Sequence, residues 1–314
     1  MPLVDIEVDK QSSSPSIATF RHLVPLVNQG SVTYLNASFA PPRTSLSTKP
    51  SSNMSRKHYT TVPKPKWQAC PPNITFTGDT TEAPGSVNQG LHFKPGDNVV
   101  LLDSKHPNTH INAFSTIDTA KKATKVTAAN VPTCAPYVDD RTIVIRLSSV
   151  MFHSGQWNDV ADILGFAIVD VQNLEVSAAA FSLHKGFQCP TGLAALYIDP
   201  KVIKDVNVTP PILVPDAPAV YHLSAQRYDH LNPSLISGAV AKAYLSFYFD
   251  VLGPQNLENH LYTLRYLILD LHDERWMAHF LQNGVIVTPY RLGVRVSFWF
   301  CNNSEHATKL VRVL

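Results

Sequence analysis

Residues 178–198 constrain this chain more than any other stretch. Ala178, Ala179, Ala180 and Phe181 make one short apolar run, and Leu193 to Ile198 make a second. Between them stand Gly186, Pro190 and Gly192, residue types that punctuate regular structure. Short apolar runs bounded by turn residues read as two buried strands joined by a loop. Lys185 falls on that loop. A lysine placed between buried strands loses water, which disfavours the ammonium and frees an amine to attack a carbonyl. The local pattern leaves two readings open: a Schiff-base lysine, or a solvated loop lysine.

The rest of the composition narrows the class. The 314 residues suffice for about two domains. Apolar residues make up 44% and charged residues 16%, enough to bury a core and unlike a disordered chain. A formal net charge of +2 gives no electrostatic case for nucleic acid or an anionic membrane as partner. Cys70, Cys134, Cys189 and Cys301 show neither CxxC spacing nor the density of a disulfide scaffold, which points to a reducing compartment. No apolar run reaches about 18 residues, and the acidic N-terminal segment has no apolar core. The expectation is a soluble, cytoplasmic protein.

Other stretches carry candidate chemistry. Val32 to Ala40 reads as a short strand entering a turn, with Asn36 inside it. Residues 41–68 are rich in proline and polar breakers and read as a linker. Ile74 and Phe76 end a strand before Gly78, and Asp79, Thr80 and Thr81 then open a helix. Such a start is either a plain cap or an anion site suited to phosphate. Residues 95–104 read as a turn and a buried strand that delivers His106 at its C-terminal end, where α/β folds hold ligands. An imidazole there stacks on a ring or caps a loop. His106 and His110 have metal-pair spacing, but Pro107 argues against a helix and no third ligand is in place, so no metal is expected.

Residues 115–140 show little periodicity, and Arg141 to Val150 reads as a strand. Pro233 to Gly253 is a long helix whose aromatic residues belong to a core, and Glu274 to Asn283 is a shorter one closed by Gly284. Gly293 to Phe300 alternates, with Val294, Val296, Phe298 and Phe300 on one side and Arg295, Ser297 and Trp299 on the other. The planar fork of Arg295 suits a carboxylate, although a solvent-facing strand arginine gives the same pattern. Ser304 is expected to cap a last helix.

Taken together, Ser182-Leu-His-Lys185 before its Gly/Cys/Pro turn, Val169-Asp-Val-Gln172, Tyr34-Leu-Asn36, Gly78 to Thr81 and Arg295-Val-Ser-Phe298 with Asn302 resemble the class V aminotransferase family. These pyridoxal-phosphate (PLP) enzymes include cysteine desulfurases and isopenicillin N epimerase-like proteins. The resemblance covers about Phe20 to Leu314. It implies an α/β chain of the PLP-dependent transferase fold type I: a mainly parallel sheet sandwiched by helices, plus a smaller α+β domain. Residues 41–234 would form the large PLP-binding domain, and 1–40 with 235–314 the small one. The resemblance puts PLP on Lys185, its phosphate on Thr80 and Thr81, and His106 on its ring. Arg295 would hold the substrate carboxylate, with Asn36 on the substrate side. It implies amino-acid substrates, aminotransferase, epimerase or lyase chemistry, and a homodimer. In the dimer, residues 221–232 reach the neighbouring site, with Ser224 or Gln226 in place of the family's phosphate-contacting threonine. The Val285 to Arg291 loop has no cysteine, so desulfurase chemistry is not expected. The wording is closest to fungal isopenicillin N epimerase-like proteins of specialised metabolism.

The chain departs from the family at three places. Ile163-Leu164 runs straight into Gly165 to Asp170, omitting a helix tail, turn and strand of roughly 15–20 residues. That strand carries the family's aspartate for the pyridine nitrogen, without which carbanion stabilisation is poor. Asp159 and Asp162 lie in a helix-start context instead. Trp67 to Pro72 and Tyr262 to Asp270 also join elements that the family separates. Two functions follow: a PLP enzyme working through Lys185, or a non-catalytic, degenerate member of the family.

Overall fold

The computed structural model describes residues 17–28, 32–36, 71–102, 122–126, 137–148, 176–204, 223–229, 235–264, 267–290 and 293–314. In chain order, the strands among them are β1 (Thr33–Tyr34), β2 (Ile74–Thr77), β3 (Asn98–Leu102), β4 (Lys122–Val126), β5 (Thr142–Arg146), β6 (Ala178–Ser182), β7 (Ala194–Ile198), β8 (Leu267–Leu269), β9 (Val285–Ile286), β10 (Thr288–Tyr290) and β11 (Gly293–Val296). The helices are α1 (Pro25–Asn28), α2 (Glu82–Gln89), α3 (Pro200–Lys204), α4 (Leu235–Ser246), α5 (Pro254–Leu264), α6 (Arg275–Gln282) and α7 (Ser304–Val313). The chain divides into two units, Ser52–Lys242 and Met1–Ser51 with Ala243–Leu314.

In the unit Ser52–Lys242, β7 is buried along its whole length. It lies between β2 and β6, antiparallel to both. Leu196 and Ile198 pack with Ala83 of α2 and with Ala225 and Tyr228 of a 3-10 turn, Ala225–Tyr228. Ala195 and Tyr197 pack with Ile74 and Ala179. A strand covered on both faces carries a continuous apolar run instead of an alternating one.

A second sheet sets β3 between β4 and β5, parallel to both. Val99 and Leu101 of β3 pack with Phe93 and Val144. Lys122-Ala-Thr-Lys-Val126 carries no strand signal of its own; it is extended because β3 offers a complete ladder. At the end of β5, Arg146 is buried and donates from Nη2 to the Pro84 carbonyl at 2.8 Å, which ties β5 to the first turn of α2. Burial pulls its guanidinium down to about 10.

In the other unit, β11 lies between β8 and β10, antiparallel to both. β1 runs parallel to β9, and a bridge from Asn36 to Ser297 extends that edge. Val294 and Val296 enter a core with Leu35, Val287 and Phe280. The expected loop from Val285 to Arg291 contains β9 and β10, strands too short to show a periodic run.

Alternation carries on through Phe298, which packs in the same core as Val294 and Val296, and stops short of Phe300. The fully buried Asn302 accepts from the Trp299 N–H at 2.7 Å and donates to the Tyr34 carbonyl at 3.0 Å, so the chain turns there and both Trp299 and Phe300 are buried. The last helix is capped by Asn303 and not by Ser304. The Asn303 side chain accepts from the His306 N–H, and His306 Nδ1 accepts from the Asn303 N–H. That reciprocal box leaves Ser304 as the first helical residue. The long helix is α4 followed by a π turn, Phe247–Leu252, ending at Gly253 with φ 72°. Phe247 meets Phe20 and Phe300 edge-on at 5.7 and 6.0 Å, the arrangement that aromatic quadrupoles favour.

Among the described residues no helix is long and apolar enough to cross a membrane, and no three His, Cys, Asp or Glu side chains gather to hold a metal.

Candidate active site

The lysine loop and the helix-start turn leave the same edge of one sheet. Ala194, the first residue of β7, pairs with Thr77 at the end of β2 and with Ser182 at the end of β6. The turn at Gly78 and the loop carrying Lys185 therefore emerge side by side, one strand apart, about 10 Å from strand axis to strand axis. Electrostatics report the same proximity. Burial holds the His184 imidazole below its usual range, the Lys185 ammonium pushes it down further, and the Asp79 carboxylate pulls it up. The Ser182 hydroxyl lies 3.0 Å from His184 Nδ1.

Packing sets the loop. Leu183, Cys189 and Leu193 are buried together with Ala241 of α4. The Cys189 N–H donates to the Leu183 carbonyl at 2.9 Å, and the Gln188 N–H donates to the Lys185 carbonyl at 2.9 Å. Gln188 takes φ 49°, the left-handed conformation that closes so tight a turn. Lys185 is exposed, so the water loss expected from its apolar flanks does not occur in this structure. Within the turn Gln188 is buried and Phe187 packs on the Leu183 cluster, so Lys185 alone faces solvent there.

At the helix start two local carboxylates take the free backbone amides. Asp79 Oδ1 accepts from the Thr81 and Glu82 N–H groups at 2.6 and 2.7 Å. Glu82 Oε2 accepts from the Gly78 N–H at 2.6 Å. Asp79 is thus the effective cap of α2, and the Thr80 hydroxyl keeps no hydrogen-bond partner among the described residues. Converging amides that hold carboxylates, with a free hydroxyl beside them, fit a phosphate. Pro84 and Gly85 are accommodated within α2. The Ser224 hydroxyl is occupied as the cap of its own 3-10 turn, where it accepts from the Gln226 N–H. His106, Asp159 and Asp162 lie outside the described residues.

In the other unit, Arg295 is 5% exposed, and its guanidinium stands 5.0 Å above the Tyr290 ring. It sits on the face of β11 opposite the valines that enter the core. Asn36 is aligned with Ser297, two residues along the same face. Thr288 is aligned with Arg295 itself. Thr288 and Tyr290 carry no site signal in the sequence, because Pro289 hides the strand β10 and register is not written along one segment.

The described sheets and helices make an α/β protein, and solved structures give it the PLP-dependent fold type I. A lysine-to-alanine variant of C-DES with glycine covalently linked to its PLP cofactor aligns with TM-score 0.78 at 15% identity, over 93% of this chain and 98% of that one. The cysteine desulfurase CsdA of Escherichia coli aligns with TM-score 0.75 at 16% identity, over 95% and 97%. The apo cysteine desulfurase of Thermococcus onnurineus NA1 aligns with TM-score 0.77 at 17% identity, over 96% and 98%.

Sequence relatives go further than fold. An uncharacterized aminotransferase of Schizosaccharomyces pombe is 32% identical, over 95% of each chain. An uncharacterized protein of the same organism is 34% identical, over 95% of this chain and 87% of its own. The chain belongs to the class V aminotransferase family. No family model matches it. The two alignments run over 381 and 377 positions against the 314 residues of this chain, so these relatives carry internal positions that it lacks.

Proposed function

We propose that this protein is a PLP-dependent enzyme acting on an amino acid or an amino-acid-derived intermediate. The observation that carries the proposal is the shared sheet edge, where Ala194 aligns the strand ending at the anion turn with the strand ending at the lysine loop. When bound, PLP supplies an electron sink for carbanion chemistry at an amino acid's α-carbon. Lys185 would carry the cofactor and move a proton at its Nζ. Thr80 and Thr81 would hold the phosphate, with the freed amides of Gly78 and Glu82. His106 would stack on the ring. Arg295 would take the substrate carboxylate, its fork oriented by the Tyr290 face.

Aminotransferase, epimerase and lyase outcomes all use these parts. Persulfide chemistry is disfavoured at Cys189 and Cys301, whose thiols burial pushes up to about 12. The larger unit would be the cofactor-binding domain of a cytoplasmic homodimer in specialised metabolism.

The test is a PLP titration followed by visible absorbance, then borohydride reduction and peptide mapping. A covalent label on Lys185, lost in Lys185→Ala, is the expected result. Folded protein that takes up no PLP would sink the enzyme reading.

A second reading, a non-catalytic and degenerate family member, is favoured by the positions this chain lacks relative to its Schizosaccharomyces relatives. Protein that labels at Lys185 but turns over no amino acid would establish it.

A further inference from the structure

Arg295 is bracketed by two buried polar atoms with nothing to bond. Thr288 is its cross-strand partner on β10, and Asn36 is aligned with Ser297, two residues along β11. Thr288 Oγ1 and Asn36 Oδ1 are both buried, and neither has a hydrogen-bond partner among the described residues. Directly aligned residues on neighbouring strands point to the same face, as do residues two apart on one strand. Leu35 and Val287, each one residue away, point into the core. Thr288, Arg295 and Asn36 therefore share the face turned away from that core.

A buried hydroxyl or amide oxygen left unpaired costs stability, and each such group asks for an explanation. Valine at 288 would fit the same strand without that cost.

We infer that Thr288 is a binding residue and that, with Asn36 and Arg295, it forms a three-point cradle for an α-amino-carboxylate head group. The Arg295 fork takes the carboxylate. The Thr288 hydroxyl donates to one carboxylate oxygen. The Asn36 amide oxygen accepts from the α-ammonium, the donor lying nearest to a bound α-carboxylate. Thr288 thus raises affinity for any carboxylate at this site, and Asn36 separates amino acids from acids that lack the amine. The inference rests on Arg295 as the carboxylate residue.

The experiment uses the full chain and two probes, L-alanine and propionate, with binding followed by ligand-observed NMR and stability by thermal melts. Thr288→Val is expected to weaken both probes about tenfold, the usual effect of losing a hydrogen bond to a charged group, while its melting temperature holds or rises. Asn36→Leu is expected to weaken L-alanine and leave propionate unchanged. Thr288→Val protein that binds both probes like the parent overturns the inference, as does one that melts several degrees lower, because the hydroxyl then has a structural partner. Arg295→Met separates the layers. If it retains propionate binding, the reading of Arg295 itself fails; if it loses binding while Thr288→Val does not, only the cradle fails.

Discussion

Asp79 occupies the amides that a phosphate would need at the proposed site, so on that proposal replacing it should weaken the ligand-free protein and strengthen anion binding at once. Its carboxylate takes two backbone N–H groups at 2.6 and 2.7 Å. Loss of such a cap costs about 1 kcal/mol, and loss of a negative charge at a helix N-terminus about 0.5 kcal/mol more. Asp79→Ala should therefore unfold about 1–2 kcal/mol more easily in urea. Asp79→Asn keeps a capping oxygen and should stay within about 0.5 kcal/mol of the parent.

For inorganic phosphate the order reverses. A carboxylate roughly 5 Å from a dianion in water-like surroundings opposes it by about 1.5 kcal/mol, reduced to about 1 kcal/mol by physiological salt. Asp79→Asn removes that repulsion and should bind phosphate about fivefold tighter. Asp79→Ala also removes the competing cap, for a total near 2 kcal/mol, or roughly thirtyfold. Calorimetric titration with phosphate, beside urea melts of the same samples, reads both effects. A set of variants in which phosphate affinity does not rise from parent to asparagine to alanine refutes the idea that this carboxylate stands in the anion's place.

Other sites give sharper yes-or-no outcomes. Gly293 sits at φ 117°, and a methyl group there would run into the Leu269 carbonyl and come within 2.8 Å of the Leu271 nitrogen; Gly293→Ala should cost about 3 kcal/mol or more and separate β11 from β8, and a variant that melts like the parent would contradict the packing. Burial, and then the Arg21 guanidinium beside it, push His306 down to about 4, so the unfolded chain takes up a proton that the folded ring refuses. Stability is then full above about pH 6.5 and declines as pH falls toward about 4. His306→Gln keeps a reciprocal cap and should flatten that decline in urea midpoints, leaving the slope from His184 and His260, both held low chiefly by burial; an undiminished slope would exclude His306 as its source. Cys189 and Cys301 should resist iodoacetamide in native protein and react on unfolding, as read by peptide mapping, and fast native labelling at either would contradict their burial.

Local patterns carried a good part of this protein. The two apolar runs around Lys185 became β6 and β7 because both faces of β7 are covered, and such a strand announces itself by composition. The valines of β11 alternated as far as the strand lasted, and Gly284 closed α6 at φ 64°. The strings around Lys185 and Arg295 resemble the family on their own.

What the sequence left open are properties that need a partner from elsewhere in the chain. Asparagine and serine cap helices about equally well, so only the His306 ring, folded back onto its own helix start, selects Asn303 over Ser304. β4 is a strand because β3 lies beside it. Lys185 kept its water although Leu183, Gln188 and Cys189 around it are buried, because the loop turns that one side chain outward. Thr288 gained its place beside Arg295 from antiparallel register. Sequence determined strands such as β6, β7 and β11 and the helices α4 and α6, because propensity and periodicity act within about ten residues. Tertiary structure alone decided which polar groups are paired, exposed or left waiting, because pairing and burial depend on how separate segments are brought together.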